Sequence, residues 1–195
     1  MKKLWFVLLM VMALSVHGQD LSTVSSDFNK TQKTGMMLLG SWAIANLVSS
    51  PILSNRTTGH TKYFHRMNGY WNLVNLGLAG ISYLGLREID HSVAQFSPLL
   101  EETIRMEKIL LFNAGLDVGY IMTGFFLRER SKNVTKNRDR YLGFGNSLIL
   151  QGGFLLLFDL GFYFFVHQHE LDLLKFSENL KLSLSSSGMS IRWRL

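Results

Sequence analysis

Four apolar segments, each close to the length needed to cross a bilayer as a helix, constrain this chain more than any other feature. A helix needs about 20 residues to cross roughly 30 Å of hydrocarbon. Phe (14 residues) and Gly (17 residues) are also more frequent than in a typical soluble domain of 195 residues. The sequence therefore predicts an all-α membrane protein with an up-down four-helix transmembrane bundle. Its predicted spans cover residues 34–51, 68–86, 108–127 and 141–166.

The N-terminus has the three regions of a secretory signal peptide. Lys2 and Lys3 precede an apolar run that ends near Leu14, and small or polar residues follow up to Gln19. We predict a signal peptide over residues 1–19, a four-helix transmembrane domain over 20–175 and a tail over 176–195. The chain has no cysteine, which excludes disulfide bonds and thiol catalysis.

Basic residues are concentrated in two of the loops between the predicted spans. Three lie between residues 54 and 69 and six between 128 and 140, whereas the intervening loop is acidic. The positive-inside rule places the two basic loops in the cytoplasm. We therefore expect a multi-pass protein of the bacterial inner (cytoplasmic) membrane with both mature termini in the periplasm. The net charge of +6 is then explained by membrane topology. We expect the lipid bilayer as a partner and no binding of nucleic acid.

Local signals predict where two of the helices begin and end. Ser50-Pro51 should stop the first helix, because the residue before a proline is disfavoured in the α region. Ser97 is a suitable N-cap with Pro98 at the first helical position, so the third helix should run from Pro98 to about Arg128.

A weak internal repeat relates the two halves of the chain. A shift of 74 residues places Arg66, Gly69 and Asn72 over Arg140, Gly143 and Asn146, and it superposes the first predicted span on the third. One interpretation is the duplication of a helical hairpin into parallel repeats. The alternative is that any two apolar hairpins resemble one another.

Each predicted span carries polar or small residues on one face, at helical spacing. An Asp at the bilayer centre costs about 2.5–3.5 kcal/mol, against a gain of about 0.3–0.6 kcal/mol for each large apolar residue. The polar faces should therefore meet inside the bundle, flanked by glycines that allow close approach. The candidate site residues are Asn46, Asn72, Asn75, Asn113, Asp117, Tyr120, Asn146, Gln151 and Asp159.

Two interpretations of these polar faces remain open. The polar groups could form a satisfied hydrogen-bond network that fixes the bundle. Alternatively, they could form a binding pocket or a proton or ion path, with Asp117 and Asp159 as its ionisable members. The depth of each residue along its helix would bring the two aspartates to one level of the membrane.

Histidines give only weak metal-site candidates. His91, His167 and His169 should share the periplasmic side with Glu170, so a metal site there is geometrically allowed. No histidine lies inside a span, as haem held between helices would require. HExxH, GxSxG and phosphate-binding glycine loops are absent from the sequence. We therefore expect no cofactor.

The tail changes from a helical to an alternating pattern. Apolar residues alternate over Leu180–Leu184 and again over Met189–Leu195, on either side of a Ser-Gly turn. This pattern is typical of a β-hairpin. We predict a short periplasmic hairpin that packs on the outer end of the bundle or pairs with a partner.

Three stretches resemble a known family. They are His65–Asn75, Asn113–Tyr120 and Gly143–Phe154, the last continuing to Phe158-Asp159. In these stretches the chain is similar to uncharacterised four-helix membrane proteins of Gram-negative bacteria, a domain of unknown function. The resemblance implies the fold and no activity.

The sequence thus favours a non-enzymatic membrane component that binds a small ligand or a partner. A homo-oligomer and a complex with another membrane protein are both open. The second hypothesis is a proton- or ion-conducting or transport oligomer that uses Asp117 and Asp159. A third, an enzyme acting on lipid or quinone, has no nucleophile or metal motif behind it.

Overall fold

The computed structural model describes residues 21–86 and 95–186, with side chains through residue 178. Four α-helices make up this part of the chain: α1 (Leu21–Arg56), α2 (Gly59–Gly85), α3 (Phe96–Lys132) and α4 (Arg138–Ser186). The predicted signal peptide, residues 1–19, lies outside the described residues, as does His91.

The helices pack as an antiparallel bundle in which α4 contacts each of the other three and α2 also packs on α1. At one end, the start of α1 meets the end of α2, where Asn29 Nδ2 donates to the Leu86 carbonyl over 3.1 Å. At the other end the two short connections are neighbours, since a Cβ on Gly59 would lie 3.5 Å from Asp139 Oδ2. The two basic loops therefore lie at the same end of the bundle.

The distribution of polar and apolar side chains is inverted relative to a soluble protein. Large apolar side chains point outwards on every helix, such as Leu73 and Ile81 on α2, which are 65% and 75% exposed. The buried face of α2 consists of Asn68, Asn72, Asn75 and Ala79. Contiguous apolar surface of this extent is typical of a lipid-facing helix bundle.

Among the described helices, α1, α3 and α4 are long and apolar enough to cross a membrane. These helices contain the first, third and fourth predicted spans. Helix α2, which contains the second predicted span, is not in this set. Its 27 residues would extend about 40 Å, but the asparagines on its buried face lower its mean hydropathy.

Two predicted helix ends were wrong. Helix α1 continues through Pro51 to Arg56. The proline removes only the backbone bond to the Leu47 carbonyl, a loss that membrane helices tolerate. Helix α3 begins at Phe96 with Gln95 as its N-cap, and Gln95 makes no side-chain capping bond. Ser97 is therefore already inside the helix.

The predicted C-terminal β-hairpin is not supported. Residues 180–186, which include its first strand, belong to the last turns of α4. Leu and Lys are good helix formers, and extension of an existing helix avoids the cost of nucleation, so the helix overrides the alternating pattern. The second predicted strand, Met189–Leu195, lies outside the described residues.

The helix bounds agree with the 74-residue shift for one helix pair only. Shifted by 74 positions, the end of α1 falls at residue 130, and α3 ends at Lys132, whereas the end of α2 falls at 159 and α4 continues to Ser186. The close contact of Gly69 with Ser50 of α1 is not repeated, because the corresponding Gly143 lies against His60 and Phe64 of α2. Duplication of a helical hairpin stays an interpretation of this pattern.

Candidate functional site in the polar interior

Asn68 of α2 is the centre of a buried hydrogen-bond network. Its Oδ1 accepts a bond from Ser147 Oγ and another, over 3.3 Å, from Gln151 Nε2, both on α4. Its backbone carbonyl accepts from Asn72 Nδ2 over 2.8 Å. Ser147, Gln151 and Asn72 are fully buried. The network therefore joins α2 to α4 away from water.

Trp42 connects this network to α1. Its Nε1 donates to Gln151 Oε1 over 3.1 Å, and its ring stacks on Phe154 with centroids 3.9 Å apart and planes 7° from parallel. Since Gln151 also donates to Asn68, its amide bridges α1 and α2 from α4. Three helices thus meet at one side chain.

Helix α2 extends the network by one more turn. Asn75 Nδ2 lies 3.4 Å from Asn72 Oδ1, to which it donates. The two side chains are 4% and 0% exposed. Together with Asn68, they form a continuous line of amides along the inner face of α2.

Two carboxyl groups face each other deeper along the same interior. The side chains of Asp117 on α3 and Asp159 on α4 interact directly and are 3% and 6% exposed. No lysine, arginine or histidine is among the buried side chains of the described residues. The pair therefore has no buried basic partner there, and its charge has to be balanced by bound protons or by a bound cation.

One buried acceptor and one buried donor among the described residues are without hydrogen bonds. Asp117 Oδ2 and Trp71 Nε1 have no partner among the described atoms. The Trp71 ring packs edge-on against Tyr120, with centroids 4.6 Å apart, and Tyr120 is one turn along α3 from Asp117. Unsatisfied buried groups are rare in folded proteins and often indicate a site for a ligand, water or ion.

The remaining candidates are less enclosed. Asn46, Asn113, Tyr120 and Asn146 are half-buried. Asn46 Nδ2 donates to the Trp42 carbonyl of its own helix over 2.9 Å, so it does not bridge helices through this bond. Of the candidate site residues, those that are buried in the interior are therefore Asn72, Asn75, Gln151 and the two aspartates.

Sequence reasoning left three important interior residues out of its list of candidate site residues. Asn68 and Ser147 lie on the polar faces of α2 and α4, at helical spacing from the candidates Asn72 and Gln151. Trp42 gave no signal, because an aromatic residue in an apolar segment is expected to face lipid or pack. Its indole N–H, which needs an acceptor when buried, could have indicated that Trp42 has a polar partner.

At the opposite end from the basic loops, His167 joins two acids. Its Nδ1 lies 3.1 Å from Glu107 Oε1 on α3 and 3.2 Å from Glu170 Oε2 on its own helix. Glu107, just before the span predicted over 108–127, was missed by the sequence reasoning. Burial raises the pKa of its carboxyl above the ordinary value, and the neighbouring Glu170 acts in the same direction.

His169 faces away from this cluster, so it does not converge with His167 on one point in the structure. Positions i and i+2 on a helix point about 200° apart. His169 Nε2 lies 2.9 Å from Thr31 Oγ1 on α1, and burial lowers its pKa. It lines a groove of about 590 Å³ between α1 and α4, with Lys30 at its polar rim and Leu38 on its apolar wall.

Comparison with known proteins identifies a family but no activity. No curated protein and no solved structure matches the chain. The model of a family of unknown function (DUF6992) matches residues 38–160. This segment extends from α1 to one residue beyond Asp159. The matched segment contains the whole Asn68 network and both interior carboxyl groups. The chain therefore belongs to the family of unknown function DUF6992.

Proposed function

We propose that this protein is a non-enzymatic, multi-pass component of the bacterial inner membrane that binds a small ligand in its polar interior. The interior chemistry favours a small cation or a ligand with a cationic group. The observation that carries this proposal is the contact between Asp117 and Asp159, which are buried together with no buried basic side chain among the described residues.

The magnitudes show that the charge of the pair has to be balanced inside the bundle. Two aspartates at mid-membrane depth cost about 5–7 kcal/mol on the insertion scale if they stay charged. A positive charge between them would offset much of this cost. The unpaired Asp117 Oδ2 provides an acceptor for such a ligand.

The proposed topology has four crossings, with α2 as a crossing helix. Its outward residues include Tyr70, Leu73, Leu78 and Ile81, each more than half exposed. Its asparagines are all turned inwards, so their low hydropathy is hidden from lipid. The basic loops at one end of the bundle support a cytoplasmic location for that end, with both mature termini periplasmic.

The test is cation-dependent stability of the full chain in mild detergent. Thermal unfolding is followed in Na⁺, K⁺ or methylammonium chloride, with N-methylglucamine chloride keeping the ionic strength constant. We expect at least one of the three to raise the Tm of the wild type. Asp117→Asn and Asp159→Asn should abolish the rise, and Asp139→Asn, an exposed carboxylate at the loop end, should keep it.

Two outcomes would contradict cation binding. One is a wild-type Tm that none of the three cations changes. The other is an identical cation response in the wild type and both interior variants. Either result would favour the alternative in which the pair shares a proton and serves only to fix the bundle.

A second candidate function is proton or ion conduction by an oligomer. Polar groups on α4 extend from Ser147 to Asp159, about 18 Å along the helix, and begin near the basic end of the bundle. Such a line could carry protons to the aspartate pair. Flux into reconstituted vesicles, measured for the wild type and Asp117→Asn, tests this function: flux that both proteins share would exclude a path through the pair.

A further inference from the structure

Three side chains with metal-binding atoms converge where α3 and α4 leave the predicted spans. Glu107 is one residue before the span at 108–127, and His167 is one residue after the span at 141–166. Glu170 follows one turn further along α4. One ligand atom from each of the three lies within 4.8 Å of the others.

The distances allow a single metal ion to replace the present hydrogen bonds with little movement. Both carboxylate oxygens approach the same imidazole nitrogen, His167 Nδ1, at 3.1 and 3.2 Å. One N–H can form a straight hydrogen bond with only one acceptor. Ligands bound at 2.0–2.2 Å to a tetrahedral ion lie about 3.3–3.6 Å apart. The observed separations are just below this range.

The surroundings hold the three ligands in place. The Glu107 and Glu170 side chains are only 12% and 20% exposed, and that of His167 is 38% exposed. The Tyr163 ring stacks nearly parallel to the imidazole, with planes 9° apart, which restricts its rotation. Because His167 carries at most one positive charge, two carboxylates leave the cluster negative, and a divalent cation would balance it.

The ligand types indicate which ion would bind. Ca²⁺ and Mg²⁺ prefer shells made of oxygen ligands, whereas an imidazole with two carboxylates suits zinc and its neighbours in the first transition row. We propose that Glu107, His167 and Glu170 form a Zn²⁺-type site that links α3 to α4 at the outer end of the bundle. Its fourth position is available to water or to an external ligand. This site shares no residue with the interior carboxyl pair.

The experiment uses the full chain in detergent, carrying an affinity tag without histidine and treated with EDTA. Competition with a chromophoric chelator gives the stoichiometry and the affinity for Zn²⁺. We expect one ion per chain, a rise in Tm with Zn²⁺, and no competition from Ca²⁺ or Mg²⁺. His167→Gln and Glu107→Gln should each weaken binding at least about 100-fold, beyond the range seen for changes to outer-shell partners.

His169→Gln is the matched control, since it removes a histidine two residues away that faces α1. It should bind Zn²⁺ as the wild type does. Co²⁺ bound to the wild type should show the visible absorption of a four-coordinate site, a readout that needs no variant. The proposal is overturned if the wild type binds no Zn²⁺, if the Co²⁺ bands are absent, or if His167→Gln retains wild-type affinity.

Discussion

Gly124 of α3 and Gly145 of α4 lie backbone to backbone. A Cβ on Gly124 would stand 2.7 Å from the Gly145 carbonyl oxygen, and one on Gly145 would stand 2.6 Å from that of Gly124. A methyl group cannot fit without separating the helices. We expect Gly124→Ala to destabilise the bundle by about 1–3 kcal/mol, as overpacking does, seen as a lower Tm in detergent.

Gly119→Ala is the control for this substitution on the same helix. A Cβ at Gly119 meets no atom within 4 Å, so the change adds only helix propensity, worth up to about 1 kcal/mol relative to glycine. Its Tm should be equal to or above that of the wild type. Equal losses in the two variants would show that the close contact at Gly124 is not limiting.

Asn68→Ala should be more damaging than removal of an exposed asparagine. It leaves Ser147 Oγ and Gln151 Nε2 without the acceptor they share. Hydrogen bonds between membrane helices are worth about 0.6 kcal/mol on average and up to about 1.7 kcal/mol, and two are lost here. Asn55→Ala, at an exposed position, should leave the Tm unchanged. A silent Asn68→Ala would mean that other groups satisfy both donors.

Trp42 contributes both a hydrogen bond and a stacked ring, and two variants separate these contributions. Trp42→Phe keeps a ring to stack on Phe154 but loses the donor to Gln151. Trp42→Ala loses both and should cost about 0.5–1.5 kcal/mol more for the aromatic contact, in addition to the lost buried area. The Tm values should fall in the order wild type, Trp42→Phe, Trp42→Ala, with the lipid-facing control Phe126→Ala near the wild type.

The absence of cysteine allows a direct test of whether α2 crosses the membrane. Single cysteines at Thr58, Ser97 and Thr135 occupy exposed positions and can be labelled in intact cells with an impermeant maleimide. Four crossings place Thr58 and Thr135 on the same, cytoplasmic side and Ser97 on the periplasmic side, so only Ser97→Cys should react. Labelling of Thr58→Cys and Thr135→Cys from opposite sides would show that α2 does not cross.

Much of the helical arrangement could be predicted from the sequence. Period and apolar length located all four helices, and the spacing of Asn72, Gln151 and Asp159 correctly placed these residues on buried faces. Each of these patterns depends on one helix only, so it can be recognised in a single sequence. When lipid surrounds a helix, its polar face turns towards the interior of the bundle.

The failures concern contacts between elements and the ends of helices. Glu107 is 60 residues from His167, and no periodicity connects them. Pro51 and the alternating leucines after residue 180 are strong local signals, yet both lie at the ends of long helices whose existing hydrogen bonds favour continuation. At these positions the conformation of a residue follows the helix that precedes it and not its own local sequence signal.

The Asn68 network also has a consequence for biogenesis. Asn68 belongs to the second of the four described helices to be synthesised, whereas Ser147 and Gln151 belong to the fourth. During translation about 80 further residues are synthesised after Asn68 before its partners Ser147 and Gln151 exist. The nascent chain must meanwhile keep the Asn68 amide hydrated or in contact with the insertion machinery, so the bundle can close only after α4 has left the ribosome.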